Sequence, residues 1–263
     1  MVVETYVDRA RERATAEREA VDAKHEAFGA FADRVETLPT EQSSAPGATA
    51  TTATTAARFH AEVSTDDGCR AVRRAFAETV RPHSAADEDG DEPLLATVRE
   101  EFTDAIAVAL APTTGTALSG GLERSLVAEA DARRTETAAT SRALDRERSQ
   151  LEDAAAAVDG ITAWIADADE TPLTDLGFEA LSRRHRTLAG HRERCEELAH
   201  KRQRFLRGTT SRNAEAGVRH RNLVGYLYRD FPVDHPVLAT AARLDAACAE
   251  CQRAVRDHLV RRV

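Results

Sequence analysis

The chain is predicted to be all-α: an elongated antiparallel helical hairpin or coiled-coil bundle with shorter helices packed along it. Of its 263 residues 51 are alanine and only 5% are aromatic, so any core is thin and long. Charged residues make up 31%, and glycine and proline cluster in a few short segments, a composition of long helices. Apolar residues recur at spacings of three and four over long runs, and no alternating run is long enough for a convincing strand.

The first such run is Val3, Val7, Ala10, Ala14, Val21, Phe28, Phe31, Val35 and Leu38, interrupted by Glu17 and Lys24. It predicts an amphipathic helix over 1–38, stopped by Pro39, whose seam needs a partner helix in the same chain or in a second copy. The stretch "TEQSSAPGATATTATTAA" has neither a large apolar residue nor a period, so 39–57 reads as a flexible linker. The helical body is then 58–263. It begins with a short amphipathic helix in "CRAVRRAFAETV", capped by Asp66 or Asp67. An acidic loop "RPHSAADEDGDEP" and one helix over Leu94 to Leu110 follow.

Leu144, Leu151, Val158 and Ile165 lie seven apart within a helix expected over Leu122 to Ala168, roughly 70 Å long at the usual rise. "DETPLTD" is the turn, with Pro172 in the first turn of the returning helix and Thr171 or Thr174 as its cap. That helix spans Asp175 to Arg207, with Phe178, Leu181, Leu188, Cys195, Leu198 and Phe205 on its stripe. The hairpin therefore occupies 122–207, and further helices fill 214–262, the last opening at Pro236.

No secretory leader is recognisable in "MVVETYVDRARERA", and the longest apolar run, "AIAVALA", is far too short to span a bilayer. Four cysteines in a chain of this length do not make a disulfide framework. A cytoplasmic location is expected.

Motifs for chemistry are absent: no phosphate-binding Lys-Ser/Thr loop, no G-x-S-x-G elbow, no H-E-x-x-H. The pair Cys248 and Cys251 is the main candidate. Leu244, Cys248, Cys251 and Val255 keep seam spacing, as does Cys195, so core packing is the first reading for all three. A redox pair belongs at a helix N-terminus, and these lie about four turns in from Pro236. A metal-stabilised sensor using the cysteines, with His191 and Cys195 as two further ligands beside Cys248 and Cys251, is the weaker alternative. If the helix around "NLVGYLY" carries the chain back and the last helix turns round again, Cys251 falls near Arg204 or Phe205, roughly 20 Å from His191. No metal and no cofactor is expected. The remaining histidines read as solvated or interface side chains.

Charge divides the chain. Residues 1–170 carry a net −16 and residues 171–263 a net +7. Nucleic-acid binding through the basic C-terminal third, 171–263, is one reading. The other, preferred here, sets basic helix faces against acidic ones. Only Lys24 and Lys201 are lysine among 36 basic residues, and such arginine bias with abundant Ala, Asp and Glu suggests a GC-rich halophile. At molar salt the Debye length is about 3 Å, which weakens the phosphate-binding reading.

Large rings concentrate in "YLYRDFPVDHPVL", at a break between helices. Tyr226, Tyr228 and Phe231 form either a structural corner or an anchor for a protein partner.

The stretches "KRQRFLR", "YLYRDFPVDHPVLAT", "ETVRPHS" and "DEPLL" resemble a family of helical proteins from halophilic archaea catalogued as a domain of unknown function. The resemblance covers most of the chain outside the Thr/Ala linker. It implies a haloarchaeal source and a helical body, and it carries over no catalytic or binding residue. The expected role is a non-catalytic scaffold or protein-interaction module, acting through a protein partner or self-association, with no membrane involvement.

Overall fold

The computed structural model describes residues 5–40, 67–84, 93–212 and 220–261. Among them the chain is all-α: α1 (Val7–Glu36), α2 (Asp67–Thr79), α3 (Leu94–Glu101), α4 (Asp104–Ala109), α5 (Gly120–Asp169), α6 (Phe178–Arg212), α7 (His220–Leu227) and α8 (Pro236–Val260). Single 3-10 turns lie at Arg81–His83, Pro112–Thr114 and Leu173–Asp175. The Thr/Ala segment expected as a linker falls outside the described residues from residue 41 onward, as does most of the acidic segment after Ser84. No described helix is long and apolar enough to cross a membrane.

The chain divides into two units, residues 20–138 and residues 1–19 with 139–263, so α1 and α5 contribute to both. In the first unit the C-terminal half of α1 packs within the chain. Phe28, Phe31, Phe76 and Phe102 meet with ring centroids 5.3–6.0 Å apart, tilted or edge to face. Val35, Val72, Val98, Ile106 and Leu110 fill the space around them.

Phe102 explains why the single helix expected over 94–110 is two. α3 ends at Glu101, Phe102 leaves helical geometry at φ −119° and ψ −110°, and its ring enters the cluster. The Thr103 hydroxyl then caps α4 by accepting the Ile106 amide at 3.3 Å. Removing a buried aromatic of this kind costs about 3–5 kcal/mol, far above the hydrogen bonds a helix loses at one kink. The Lys24 that interrupts the α1 stripe has a matching partner. Its ammonium lies 2.8 Å from Glu101, whose carboxylate also accepts the Ser84 hydroxyl at 2.6 Å.

In the second unit, α5 and α6 form an antiparallel pair. Glu147 meets Arg202, Trp164 meets His191, and the Thr171 carbonyl accepts from Arg184, so numbers rise on one helix as they fall on the other. Leu144, Leu151, Val158, Ile161 and Ile165 are buried on α5, and Leu181, Leu188, Cys195 and Leu198 on α6. Phe178, expected on that stripe, is exposed instead. The reason is local. Pro172 opens the 3-10 turn Leu173–Asp175 rather than α6, which starts only at Phe178, so this ring sits in the first turn and misses the seam.

α8 also runs antiparallel to α6. Arg192 pairs with Asp245 at 2.8 Å, and Gln252 donates to the His185 carbonyl at 3.3 Å. This corrects the expectation that α8 turns back. Cys251 is level with the turn around His185 and Leu188, not with Arg204 or Phe205. α7 is only eight residues long, and the chain passes from it into α8 without reversing the register against α6. The basic helix α6 thus reaches acidic partners on both neighbours, Glu147 on α5 and Asp245 on α8.

Candidate functional site

The corner between α7 and α8 builds the most distinctive surface of the chain. Leu223, Val224, Leu227 and Tyr228 follow the spacing of one helical face, and all four are buried. Tyr226 falls on the opposite face and is 42% exposed. Beyond α7 the backbone closes in a turn, with the Phe231 amide donating to the Tyr228 carbonyl at 3.0 Å. Pro236 then occupies the first turn of α8, where a missing amide hydrogen has no cost.

The N-terminal turns of α1 complete this corner in cis. The Tyr6 amide donates to the buried Thr240 hydroxyl at 3.1 Å, and the Arg243 guanidinium lies 4.6 Å over the Tyr6 ring. From the same stretch Arg9 covers Phe231 at 4.6 Å, and Arg13 reaches the Tyr226 ring at 6.0 Å. Arg229 approaches that ring at 5.3 Å. The Tyr226 hydroxyl donates to Glu17 at 3.4 Å, so both interruptions of the α1 stripe, Glu17 and Lys24, hold polar partners. Partial burial, then the Glu17 charge, raises the Tyr226 phenol above its ordinary range.

The three ring residues singled out from sequence therefore differ in surroundings. Tyr228 is 2% exposed and edge to face with Phe231 at 5.2 Å. Its hydroxyl donates to Glu147 at 2.6 Å, and burial followed by that carboxylate drives its phenol far upward. Tyr226 offers its ring at the surface, and Phe231 is half-buried under Arg9. Arg13 and Arg229 also pair with Glu17 and Asp230, at 3.7 and 3.4 Å, so rings, guanidinium groups and carboxylates alternate on this surface. Arg9 and Arg13 were not visible as members of this surface from spacing alone, since they come from more than two hundred residues away in sequence, whereas Arg229 lies between the rings themselves.

The chain belongs to the family described as a domain of unknown function (DUF7260). The family pattern matches residues 5–252, which includes the whole of this corner. No curated protein and no solved structure matches the chain.

In this DUF7260 domain the cysteines are seam residues. Cys195 and Cys248 are buried beside the Arg192–Asp245 pair, and burial pushes their thiols up to about 11 and about 12. Burial also raises Cys251, with Asp169 adding to it. Such shifts favour the thiol over the thiolate that redox chemistry or metal binding uses. His191 is buried against Trp164, with centroids 4.9 Å apart, and neither ring nitrogen has a hydrogen-bond partner among the described residues. Among the described residues no three His, Cys, Asp or Glu side chains gather as a metal-holding group.

Proposed function

We propose that this domain is a non-catalytic helical scaffold that docks a protein partner through the α7–α8 corner. The observation that carries the reading is Tyr226. Its exposed ring has the guanidinium groups of Arg13 and Arg229 within 6.0 and 5.3 Å of its centroid, two residues from the buried Tyr228. Tyrosine and arginine are the residue types enriched at interface hot spots, and a rigid, pre-ordered pair loses little side-chain freedom on binding. The arginine bias and acidic excess of the sequence support a halophilic setting, so the assay belongs in molar salt.

The test compares tagged wild-type chain with Tyr226→Ala in affinity purification, with and without nuclease. A stoichiometric protein that survives nuclease and is lost from Tyr226→Ala, with the melting temperature unchanged, is the expected result. Recovery dominated by nucleic acid, equal for both chains, replaces this reading with nucleic-acid binding by residues 171–263.

A further inference from the structure

Between α6 and α8 runs an open groove. Its first part, about 630 Å³, lies over Ala189, Ala199, Leu238 and Ala242. A second hollow of about 580 Å³ continues it, and Gln203 and Leu238 line both. From α6 the groove is reached by Ala189, Arg192, Glu196, Ala199, Gln203 and Leu206, at spacings of 3, 4, 3, 4 and 3. From α8 it is reached by Leu238, Ala242, Asp245 and Gln252, on the same seven-residue period. Each helix therefore carries a heptad row on the groove beside the row it buries, and such a row takes a helix as its neighbour. From Ala189 to Arg207 the α6 row is roughly 27 Å long, about five helical turns.

Charge identifies the occupant. Glu193 and Glu196 line the N-terminal part of the α6 row, and Gln203 and Arg207 the C-terminal part. None of these four side chains has a hydrogen-bond or ion-pair partner among the described residues, whereas Arg192 and Asp245 satisfy each other. Glu193 and Arg207 stand seven residues either side of His200, and Glu196 and Gln203 stand four before it and three after. An antiparallel second α6 centred there sets Glu193 of each copy level with Arg207 of the other, and Glu196 level with Gln203. The small Ala199 then lies at the crossing, where close approach is easiest. A parallel second α6 would set Glu193 against Glu193. Asp234 and His235 border the Arg207 end, so a carboxylate arriving there meets a guanidinium and an imidazole beside one acid. We infer that this groove is the interface of a twofold dimer of the chain, with α6 of a second copy lying antiparallel in it. The apolar floor supplies affinity and the charge pairs set register. The surface is separate from the α7–α8 corner, whose exposed ring, Tyr226, does not line it.

Light scattering on a size-exclusion column, over a dilution series of the full chain in molar salt, should give a dimer for wild type. Glu193→Arg and Arg207→Glu each bring like charges together at both symmetric contacts. Each variant alone should therefore dimerise at least about tenfold more weakly, with its melting temperature as a monomer unchanged, since both positions are exposed. Mixed, the two variants should form a one-to-one dimer as tight as wild type, because every such contact is then Arg against Glu. Tyr226→Ala should leave the dimer intact. Should either charge variant melt early, His200→Cys takes its place. That position is exposed in the single chain and lies at the proposed twofold. It should cross-link two copies under copper-phenanthroline oxidation above the wild-type background, and Glu179→Cys, exposed and six turns away, should not. A monomer at every concentration, charge variants as tight as wild type, a mixture that stays monomeric, or equal cross-linking of the two cysteine variants would each overturn the assignment.

Discussion

The Arg202 guanidinium closes a two-pronged ion pair on the Glu147 carboxylate, at 3.0 and 2.6 Å, inside the α5–α6 seam. Glu147 is wholly buried and Arg202 is 3% exposed. Tyr228 adds a third donor from the α7–α8 corner. One carboxylate thus fixes the register of the hairpin and the seat of the candidate surface together. Buried pairs of this kind gain little against a hydrophobic replacement but are expensive to break singly, because the surviving charge stays buried. Arg202→Met should therefore lose about 3–5 kcal/mol in denaturant unfolding. The double variant Glu147→Leu with Arg202→Met should recover most or all of it. Tyr228→Phe removes one hydrogen bond to a charged group and should cost about 1.5–3 kcal/mol. A single variant as stable as wild type would show that this carboxylate is not the organising contact.

The helical periodicity of α1, α5, α6 and α8 was legible because burial follows the seam positions: Leu144, Leu151, Val158 and Ile165 are all inside. The Glu147–Arg202 pair was missed for a specific reason. Pairing of basic with acidic helix faces was expected as a whole, without naming which charged side chains enter the seam, although Arg202 continues the seven-residue series Leu181, Leu188, Cys195, and Glu147 sits three after Leu144 and four before Leu151. Opposite charges at the seam positions of two helices predicted to pair were the available signal. The break at Phe102 was not legible, because a tertiary aromatic cluster rather than a Gly or Pro ends α3 there. The α7–α8 corner was found as a concentration of rings. The inward turn of Tyr228 and the arginines of α1 that complete it depend on contacts between distant segments.

His191 should give the domain an acid-side loss of stability. Burial, and then the Arg194 charge, lowers its folded-state pKa below the ordinary 6.5. The unfolded chain therefore takes up the proton first as pH falls. The stabilisation is complete above about pH 6.5 and is lost as pH drops through the folded value. Melting curves from pH 8 to pH 5 should show a decline that His191→Leu flattens, with the two chains parallel above pH 7. A decline of equal depth in His191→Leu would assign it to carboxylates instead.

Two glycines should respond oppositely to alanine. A Cβ built on Gly68 falls 2.6 Å from the Cβ of Leu118, a distance carbon atoms do not tolerate, so α2 must shift from its place in the core. Gly68→Ala should cost about 1–3 kcal/mol, the usual range for overpacking. A Cβ on Gly160, inside α5, meets nothing within 4 Å. Gly160→Ala should stabilise by about 0.5–1 kcal/mol through helix propensity and a stiffer unfolded chain. Urea midpoints of the two variants measured side by side check both signs.

The thiols should show their burial in both reactivity and alkaline stability. With Cys195 near 11 and Cys248 near 12, against an ordinary 9.0, the thiolate fraction at pH 8 is very small. Iodoacetamide at that pH should label the half-buried Cys251 first, and all four cysteines together only in denaturant. Linkage gives the second readout. Because the folded-state pKa values lie above those of the unfolded chain, the contribution is complete below about pH 9, the ordinary value, and is lost as pH rises through 11 to 12. Substituting both seam thiols, Cys195→Ala with Cys248→Ala, removes that slope, although the added cavities lower the plateau. Early labelling of Cys248 in the folded chain would mean that the α6–α8 seam opens readily, and the antiparallel register set by Arg192 and Asp245 would lose its support.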